Sequence, residues 1–403
     1  MCRRTATNST PPRSARPPRP ASSTRPRRWR CRQSTLRPIR PCWPPSAGNS
    51  LRPAASLDRQ SKNSKERRVS STNRPKVAFI GTGGTMSSLG IHPLELQDYG
   101  IHDNRMHASA IVERFPVVNE VAEVIPVDFR NVISPEIYFP EWRDLAVLCH
   151  RLVAEHPDLA GIVIGHGTAT LEETAWVLNL VLKVDVPVVV IGAQRPASGL
   201  STDAAINLVN GVRTAADPAS RGRGVLVLLN DEIQAAREVT KTSNWRMQTF
   251  RTPDFGVLGH ADADRIAFYR KPERRHMPDT EFDIAGLDSL PRVDIAYAYA
   301  GSDGSAMRAF IAAGAKGLVS AGFAPGMAPA ADLAAMAEAV RQGIVVVQSS
   351  RAGSGRIYRS KKLAEAGVLA ADNLNPQKAR LLLALALTRT SDPVEVARIF
   401  ATY

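Results

Sequence analysis

The patterned part of the chain opens with KVAFIGTGGT, residues 76–85, an apolar run that ends in a glycine-rich turn. Unbroken apolar residues are typical of a strand buried on both faces, and the glycines permit a tight turn directly after it. Ligands of α/β proteins bind at the carboxyl ends of such strands. The stretch therefore predicts a strand of a parallel sheet. Its loop either approaches a ligand or is only a tight turn, and its spacing matches neither a dinucleotide-binding loop nor a P-loop.

The sequence that follows alternates short apolar runs with amphipathic stretches. We predict strands over residues 76–80, 161–165, 186–192, 224–229, 293–299, 317–321 and 344–348. We predict helices over residues 141–155, 171–183, 203–215, 305–313, 332–342, 376–388 and 393–401. Near-continuous Val/Ile runs favour parallel strands covered on both faces by crossover helices. The last two helices carry start signals, Asn375 before Pro376 and Asp392 before Pro393, the latter with Glu395 at the capping-box position.

A domain boundary is predicted at residues 271–290, between an N-terminal domain (residues 76–270) and a C-terminal domain (residues 291–403). This linker region is polar, holds three prolines together with its flanking residues, and shows no strong hydrophobic period. The sequence therefore predicts an α/β protein with two domains.

The basic character of the chain is confined to its first part. The formal net charge is +14, yet residues 1–76 contain 20 Lys/Arg and two acids, whereas residues 77–403 contain 32 Lys/Arg and 36 acids. Residues 1–75, rich in Arg, Pro and Ser, are expected to form a disordered basic tail. This tail is a solvated extension, an upstream stretch wrongly included, a nucleic-acid-binding arm or a targeting segment, and it lacks the apolar run of a secretory signal. The mildly acidic remainder gives no electrostatic reason to expect nucleic acid as a partner.

Residues 77–403 contain a single cysteine, Cys149, on the apolar face of a predicted helix. A single cysteine excludes a disulfide framework and favours a reducing compartment, so we expect a cytoplasmic protein. No run of about 18 apolar residues is present, and we expect neither a membrane-spanning helix nor a membrane partner.

A second motif, HGTAT (residues 166–170), lies at the end of a predicted strand and directly before a predicted helix. Thr168 repeats the arrangement of Thr85, a hydroxyl at a strand end. His166 is most simply a packing or hydrogen-bonding histidine. Glu172 and Glu173 follow in the first turn of the helix, where negative charge complements the helix dipole.

A third motif, VTKT (residues 239–242), follows the strand predicted at residues 224–229. Lys241 is either exposed or, if it is buried beside Thr168, has a lowered pKa and can accept a hydroxyl proton. The eight histidines are scattered, no cluster has metal-binding spacing, and no Gly-x-Ser-x-Gly elbow occurs. We therefore expect no metal and no cofactor.

Together these motifs resemble one family, the bacterial-type L-asparaginases, which use a threonine nucleophile. The resemblance extends over residues 76–403 and is carried by TGGT (82–85), HGT (166–168), GAQRP (192–196), VTKT (239–242) and LNPQKAR (374–380). It implies a larger N-terminal domain with a mostly parallel sheet and a smaller C-terminal three-layer domain. It also implies a homotetramer, a dimer of intimate dimers in which a neighbour's second domain completes each site.

The same resemblance implies roles for individual residues. Thr85 corresponds to the nucleophile, and Thr168 and Lys241 correspond to members of a second polar triad. Tyr99 is the nearest candidate for a tyrosine on a mobile lid that assists the nucleophile. The implied substrate-binding positions are Ser134, Glu136, Gly167 and Ala169.

Several positions around the amino end of the substrate depart from the family pattern. The family Asp that holds the ammonium group is Ala169 here, the Gln after the substrate serine is Pro135, and an Asn of the second domain is Gly301. A further family Asp is Glu136, one methylene longer, which could swing toward the same ammonium group.

The resemblance implies an amidohydrolase that converts L-asparagine and water to L-aspartate and ammonia through a threonine acyl-enzyme. Backbone N–H groups near Thr168 and Ala169 are expected to stabilise the oxyanion. One alternative is the same hydrolysis of a small amide that lacks an α-amino group. The other is a non-catalytic module linked to tRNA, of the amidotransferase type, which the basic tail suggests.

Overall fold

The computed structural model describes residues 74–403. The tail prediction concerns residues 1–75 and so lies outside the described residues, apart from the last two positions. The described residues form two mostly or fully parallel sheets flanked by helices. The predicted α/β fold is confirmed.

Fourteen strands occur in residues 74–403: β1 (Lys76–Gly83), β2 (Glu123–Val132), β3 (Leu159–Gly165), β4 (Val188–Ile191), β5 (Val225–Leu229), β6 (Glu232–Ala235), β7 (Thr240–Lys241), β8 (Phe250–Arg251), β9 (Gly259–Ala261), β10 (Ile266–Phe268), β11 (Val293–Tyr297), β12 (Gly317–Gly322), β13 (Val345–Ser350) and β14 (Leu369–Ala370). Nine α-helices occur in the same range: α1 (Ala108–Arg114), α2 (Glu141–Glu155), α3 (Leu171–Val181), α4 (Ala204–Ala216), α5 (Ser305–Ala312), α6 (Ala330–Arg341), α7 (Lys361–Glu365), α8 (Pro376–Leu387) and α9 (Pro393–Thr402).

Two of the sequence motifs lie at the carboxyl ends of neighbouring strands in the larger sheet. Strands β2, β1, β3, β4 and β5 lie side by side in parallel, and β6, β9 and β10 continue the sheet as antiparallel strands. From β1 the chain crosses to β2 on one side and then to β3 on the other. Gly81 pairs with Gly165, and Gly165 pairs with Ile191. The TGGT and HGT motifs therefore leave neighbouring strands at the switch point of the sheet, where α/β proteins bind ligands.

The smaller sheet consists of β11, β12, β13 and β14, all parallel. Helices α5 and α6 cover one face, and α8 covers the other. This arrangement confirms the three-layer C-terminal part. A separate antiparallel pair, β7 and β8, carries the VTKT motif, and Lys378 of α8 donates to the carbonyl of Val239 in that motif.

Apolar side chains fill both faces of the larger sheet. Helices α1 and α4 pack on one face and α2 and α3 on the other. The core beneath α2 and α3 is continuous with the core of the smaller sheet, because one cluster contains Trp176, Val319, Leu382 and Phe400. The two sheets therefore share a hydrophobic core.

The predicted helix starts at Asn375 and Asp392 are present. The Asn375 side chain accepts the Lys378 N–H, and the Asp392 side chain accepts the Val394 N–H. Glu395 pairs with Arg398 instead of closing a capping box, so that part of the prediction is wrong. The sequence analysis also missed β2, an edge strand whose residues are only partly buried.

Residues 271–290 contain neither a helix nor a strand. Met277, Phe282 and Ile284 are nevertheless almost fully buried in the shared core. The segment predicted as a linker therefore contributes three side chains to the shared core. No helix within residues 74–403 is long and apolar enough to cross a membrane.

Candidate active site

Two glycine-bearing loops touch each other at the switch point. Gly83 and Gly84 have φ values of +107° and +79°, a region that favours glycine. A Cβ atom on Gly84 would lie 2.2 Å from the Cα of Gly167. Only glycine fits there, and the contact brings Thr85, which follows Gly84, next to the loop that carries Thr168.

The predicted nucleophile has a tyrosine partner. Thr85 opens a short 3-10 helix, and its Oγ1 lies 2.8 Å from the hydroxyl oxygen of Tyr99, which belongs to a second short helix, Asp98–His102. Both side chains are partly buried. The structure thus brings Tyr99, the residue chosen from the lid region, into hydrogen-bond distance of Thr85.

A lysine and a threonine form the second polar contact. The Nζ atom of Lys241 donates to Oγ1 of Thr168 over 2.7 Å. Burial lowers the pKa of Lys241, while the nearby charge of Glu172 acts in the opposite direction. A lysine that gives up its proton more easily can accept one from a hydroxyl. The arrangement matches the second of the two sequence-based interpretations of Lys241.

His166 is a buried neutral histidine. The Gly167 carbonyl can only accept, so the Nδ1 atom 2.8 Å away carries the hydrogen. Nε2 then accepts from the Thr174 hydroxyl at 2.9 Å, and Thr174 in turn accepts from the indole N–H of Trp142. Burial lowers the pKa of His166 to about 4. Its hydrogen bonds stabilise the HGT loop, in agreement with the hydrogen-bonding role expected from the sequence.

The buried ring of His166 predicts a defined pH dependence of stability. Its pKa of about 4 in the folded chain lies below the ordinary value of 6.5, so protonation favours the unfolded chain as pH falls through this window. We expect His166 to add about 1.4 kcal/mol per pH unit to the loss of unfolding free energy there. Denaturant titrations from pH 6.5 to 4 should give a shallower slope for His166→Gln than for the wild type. Equal slopes would contradict a neutral buried ring.

Three of the four predicted substrate-binding positions converge. Ser134 is buried, and its Oγ accepts the N–H of Ala169 over 3.2 Å. A Cβ on Gly167 would lie 2.9 Å from the same Oγ. The Ala169 N–H is therefore engaged by Ser134 and is not free for the oxyanion role expected of it. Glu136 is exposed, and within the described residues its carboxylate makes no hydrogen bond or ion pair to these groups.

Glu172 does more than complement the helix dipole. Its side chain is buried, with one carboxylate oxygen 3.1 Å from the amide nitrogen of Gln377 and the other 3.4 Å from that of Asn375. The ammonium group of Lys378 lies 4.0 Å away. Sequence reasoning missed this cluster because its partners are more than 200 positions apart. The neighbouring Glu173 is also partly buried, and this burial raises the pKa of its carboxyl group.

Metal-binding side chains are not grouped in the part of the chain that the structure describes. No set of three or more His, Cys, Asp or Glu residues there could hold a metal ion. The side chains that meet at the switch point are the hydroxyls of Thr85, Tyr99 and Thr168 and the amine of Lys241.

Comparisons with known proteins match both halves of the described chain. Residues 76–274 match the sequence model of the N-terminal asparaginase domain, and residues 292–400 match that of the glutaminase/asparaginase C-terminal domain. The chain belongs to the asparaginase family. The resemblance drawn from the TGGT, HGT and VTKT motifs is confirmed.

Known asparaginase relatives are similar over most of the chain. L-asparaginase 2 of Bacillus subtilis (strain 168) is 39% identical over 331 residues, which cover 82% of this chain and 87% of the relative. L-asparaginase 2 of Escherichia coli (strain K12) is 38% identical over 331 residues, covering 82% and 93%. The crystal structure of a probable cytoplasmic L-asparaginase from Campylobacter jejuni has a TM-score of 0.78 at 35% identity, covering 82% of this chain and 100% of that one.

These matches show that this asparaginase-family chain is an amidohydrolase, as the resemblance of its motifs implied. The relatives are named as asparaginases over both halves of the chain, which does not favour the tRNA-linked module.

Proposed function

We propose that this amidohydrolase converts L-asparagine and water to L-aspartate and ammonia, with Thr85 as the nucleophile. The observation that carries the proposal is a pair of hydrogen-bonded contacts, Thr85 with Tyr99 and Thr168 with Lys241, whose two threonines lie on loops that touch at Gly84. The relatives named L-asparaginase support the choice of substrate.

Thr85 performs the first half of the reaction. Its Oγ1 attacks the side-chain amide carbon, the bond to nitrogen breaks, and an ester joins the acyl group to Thr85. The hydroxyl proton leaves with the nitrogen, so that ammonia is released. Tyr99, 2.8 Å from Oγ1, is within reach to relay this proton.

Lys241 and Thr168 serve the second half. As a neutral amine, Lys241 takes the hydroxyl proton of Thr168, and Thr168 takes a proton from the attacking water. The ester bond then breaks, L-aspartate leaves, and the proton returns to Oγ1 of Thr85. Desolvation of Lys241, which lowers its pKa, favours the neutral form that this step needs.

Steady-state ammonia release tests this function. We expect the highest kcat/KM for L-asparagine when L-glutamine and succinamate, the analogue of asparagine without an amino group, are assayed in parallel. A higher kcat/KM for succinamate would instead support the alternative substrate class. Release from none of the three amides would contradict the proposed function.

Ala169 provides a sharper test of how the ammonium group is recognised. Ala169→Asp adds a carboxylate beside Ser134, at the position where the family pattern has one. A charge-assisted hydrogen bond contributes about 1.5–3 kcal/mol, so kcat/KM for L-asparagine should rise about tenfold or more. With succinamate the new carboxylate is desolvated without a cation to face, so kcat/KM should fall.

The ratio of the two efficiencies distinguishes recognition from a general effect. A change in stability or in the basicity of Lys241 would move both substrates in the same direction. An unchanged ratio would show that Ala169 does not face the ammonium group. Glu136 or a neighbouring subunit would then be its partner.

We also propose that four chains assemble, as the family resemblance implies. Large exposed aromatic side chains support this, since Tyr138, Tyr297 and Tyr299 are each more than half exposed. Light scattering coupled to size exclusion should give the mass of four chains. A monomer with full activity would contradict a site completed by a neighbour.

A cytoplasmic location is proposed on two grounds. The Campylobacter jejuni neighbour is described as cytoplasmic, and Cys149 is a buried free thiol, as expected in a reducing compartment. A relative from Haemophilus influenzae is described as periplasmic, so relatives of this chain differ in location. Fractionation of the native cells, with activity measured in each fraction, tests the proposal.

A further inference from the structure

The LNPQKAR motif begins α8 and takes no part in the reaction steps above. Its Asn375 caps the helix, because Oδ1 accepts the N–H of Lys378 over 3.0 Å. This bond fixes the orientation of the amide group. The NH2 group of Asn375 is thereby directed to other partners.

Those partners belong to α3, which begins three residues after Thr168, and to β7, which carries Lys241. Nδ2 of Asn375 lies 3.4 Å from a carboxylate oxygen of Glu172, in the first turn of α3, four residues after Thr168. The same nitrogen lies 3.3 Å from Oγ1 of Thr240, the residue before Lys241. An amide nitrogen has two hydrogens, one for each acceptor.

Lys378 binds the segment that precedes β7 through its backbone carbonyls. Its ammonium group is buried and donates to the carbonyls of Ala236, Arg237 and Val239, the last lying two residues before Lys241. Burial lowers its pKa to about 8, and the neighbouring Glu172 acts against that shift. The turn that leads into β7 is thus fixed to α8.

We propose that Asn375 is a positioning residue for the Thr168–Lys241 pair, acting by joining Glu172 of α3 to Thr240 of β7. The proposal rests on the role proposed for that pair. A hydroxyl and an amine 2.7 Å apart transfer a proton only if their parent elements keep their spacing. The side-chain amide of Asn375, at the start of α8, is hydrogen-bonded to both elements. A helix that packs on the smaller sheet therefore fixes the distance between Thr168 and Lys241.

A double-mutant cycle tests the proposal. Asn375→Ser keeps a capping oxygen but is too short to reach both acceptors. We expect it to lower kcat for L-asparagine about 10- to 100-fold in the wild-type background. In the Lys241→Met background it should lower the residual kcat less than twofold, because the pair it positions is already lost.

Asp392→Ser is the matched control. Asp392 also caps a helix that begins with proline, and its side chain accepts the Val394 N–H on α9. Serine keeps the cap, so Asp392→Ser should cost little thermal stability, and kcat should stay within about twofold.

Three outcomes would overturn the inference. An unchanged kcat in Asn375→Ser would do so, as would an equal loss of kcat in both backgrounds, which indicates a merely structural cap. Full activity of Lys241→Met alone would show that the Thr168–Lys241 pair has no role in the reaction, and this inference would then fail with it. Activity of Thr85→Ala would contradict only the choice of nucleophile, and the double-mutant cycle could still be interpreted.

Discussion

Thr85→Ala is expected to lower the rate of ammonia release about 1,000-fold or more, because no acyl-enzyme can form without the hydroxyl. The change removes Oγ1 and one methyl group from a partly buried side chain, and the backbone that needs glycine lies one residue earlier, at Gly84. The variant should therefore stay folded, with only a small drop in melting temperature.

Thr85→Ser is the matched control for this change. It retains a hydroxyl at the same atom and should keep a measurable part of the turnover. Stopped assays at high enzyme concentration, with ammonia quantified, measure both variants. Turnover by Thr85→Ala above a few per cent of wild type would contradict the assignment of the nucleophile.

Loss of the second pair should be nearly as severe. Thr168→Val keeps the shape of the side chain and removes the oxygen that receives the Lys241 hydrogen bond. We expect kcat to fall about 100- to 1,000-fold, as for loss of general base catalysis. Lys241→Met should lose somewhat less. Wild-type kcat in either variant would show that the pair takes no part in the reaction.

A second lysine–threonine contact provides the control. Lys183 donates to the Thr280 hydroxyl at 2.6 Å, away from the switch point of the sheet. Lys183→Met removes the same kind of hydrogen bond and should leave kcat unchanged. A comparable loss of kcat there would show that the Lys241 effect reflects general destabilisation.

The central strands were predictable because each encodes its environment locally. Continuous apolar runs gave β1, β3, β4 and β5, and glycines with hydroxyls at their ends marked the switch point. Strand β2 was missed because its partly exposed residues lack such a run. Strands of two to four residues, such as β6 and β7, contain too few residues to show an apolar run or a clear alternation.

The site residues likewise differ in how far local sequence could predict them. Thr85 and Thr168 were found from motifs that directly follow strands. The burial of Lys241 could not be decided locally, because it depends on the β7–β8 pair and on α8. Glu172 was interpreted as a dipole-complementing residue since its partners, Asn375 and Gln377, come together with it only after the two sheets pack.

The apolar core that the two sheets share makes them one cooperative unit of unfolding. Trp176 of α3 and Leu382 of α8 belong to the same cluster, and the indole N–H of Trp176 donates to the Lys378 carbonyl over 3.1 Å. Separating the two sheets with their helices would expose this apolar surface to water, and we expect the free-energy cost to exceed what either part could offset alone. Fragments cut within residues 271–290 should therefore fail to fold separately, and calorimetry of the intact chain should record a single transition.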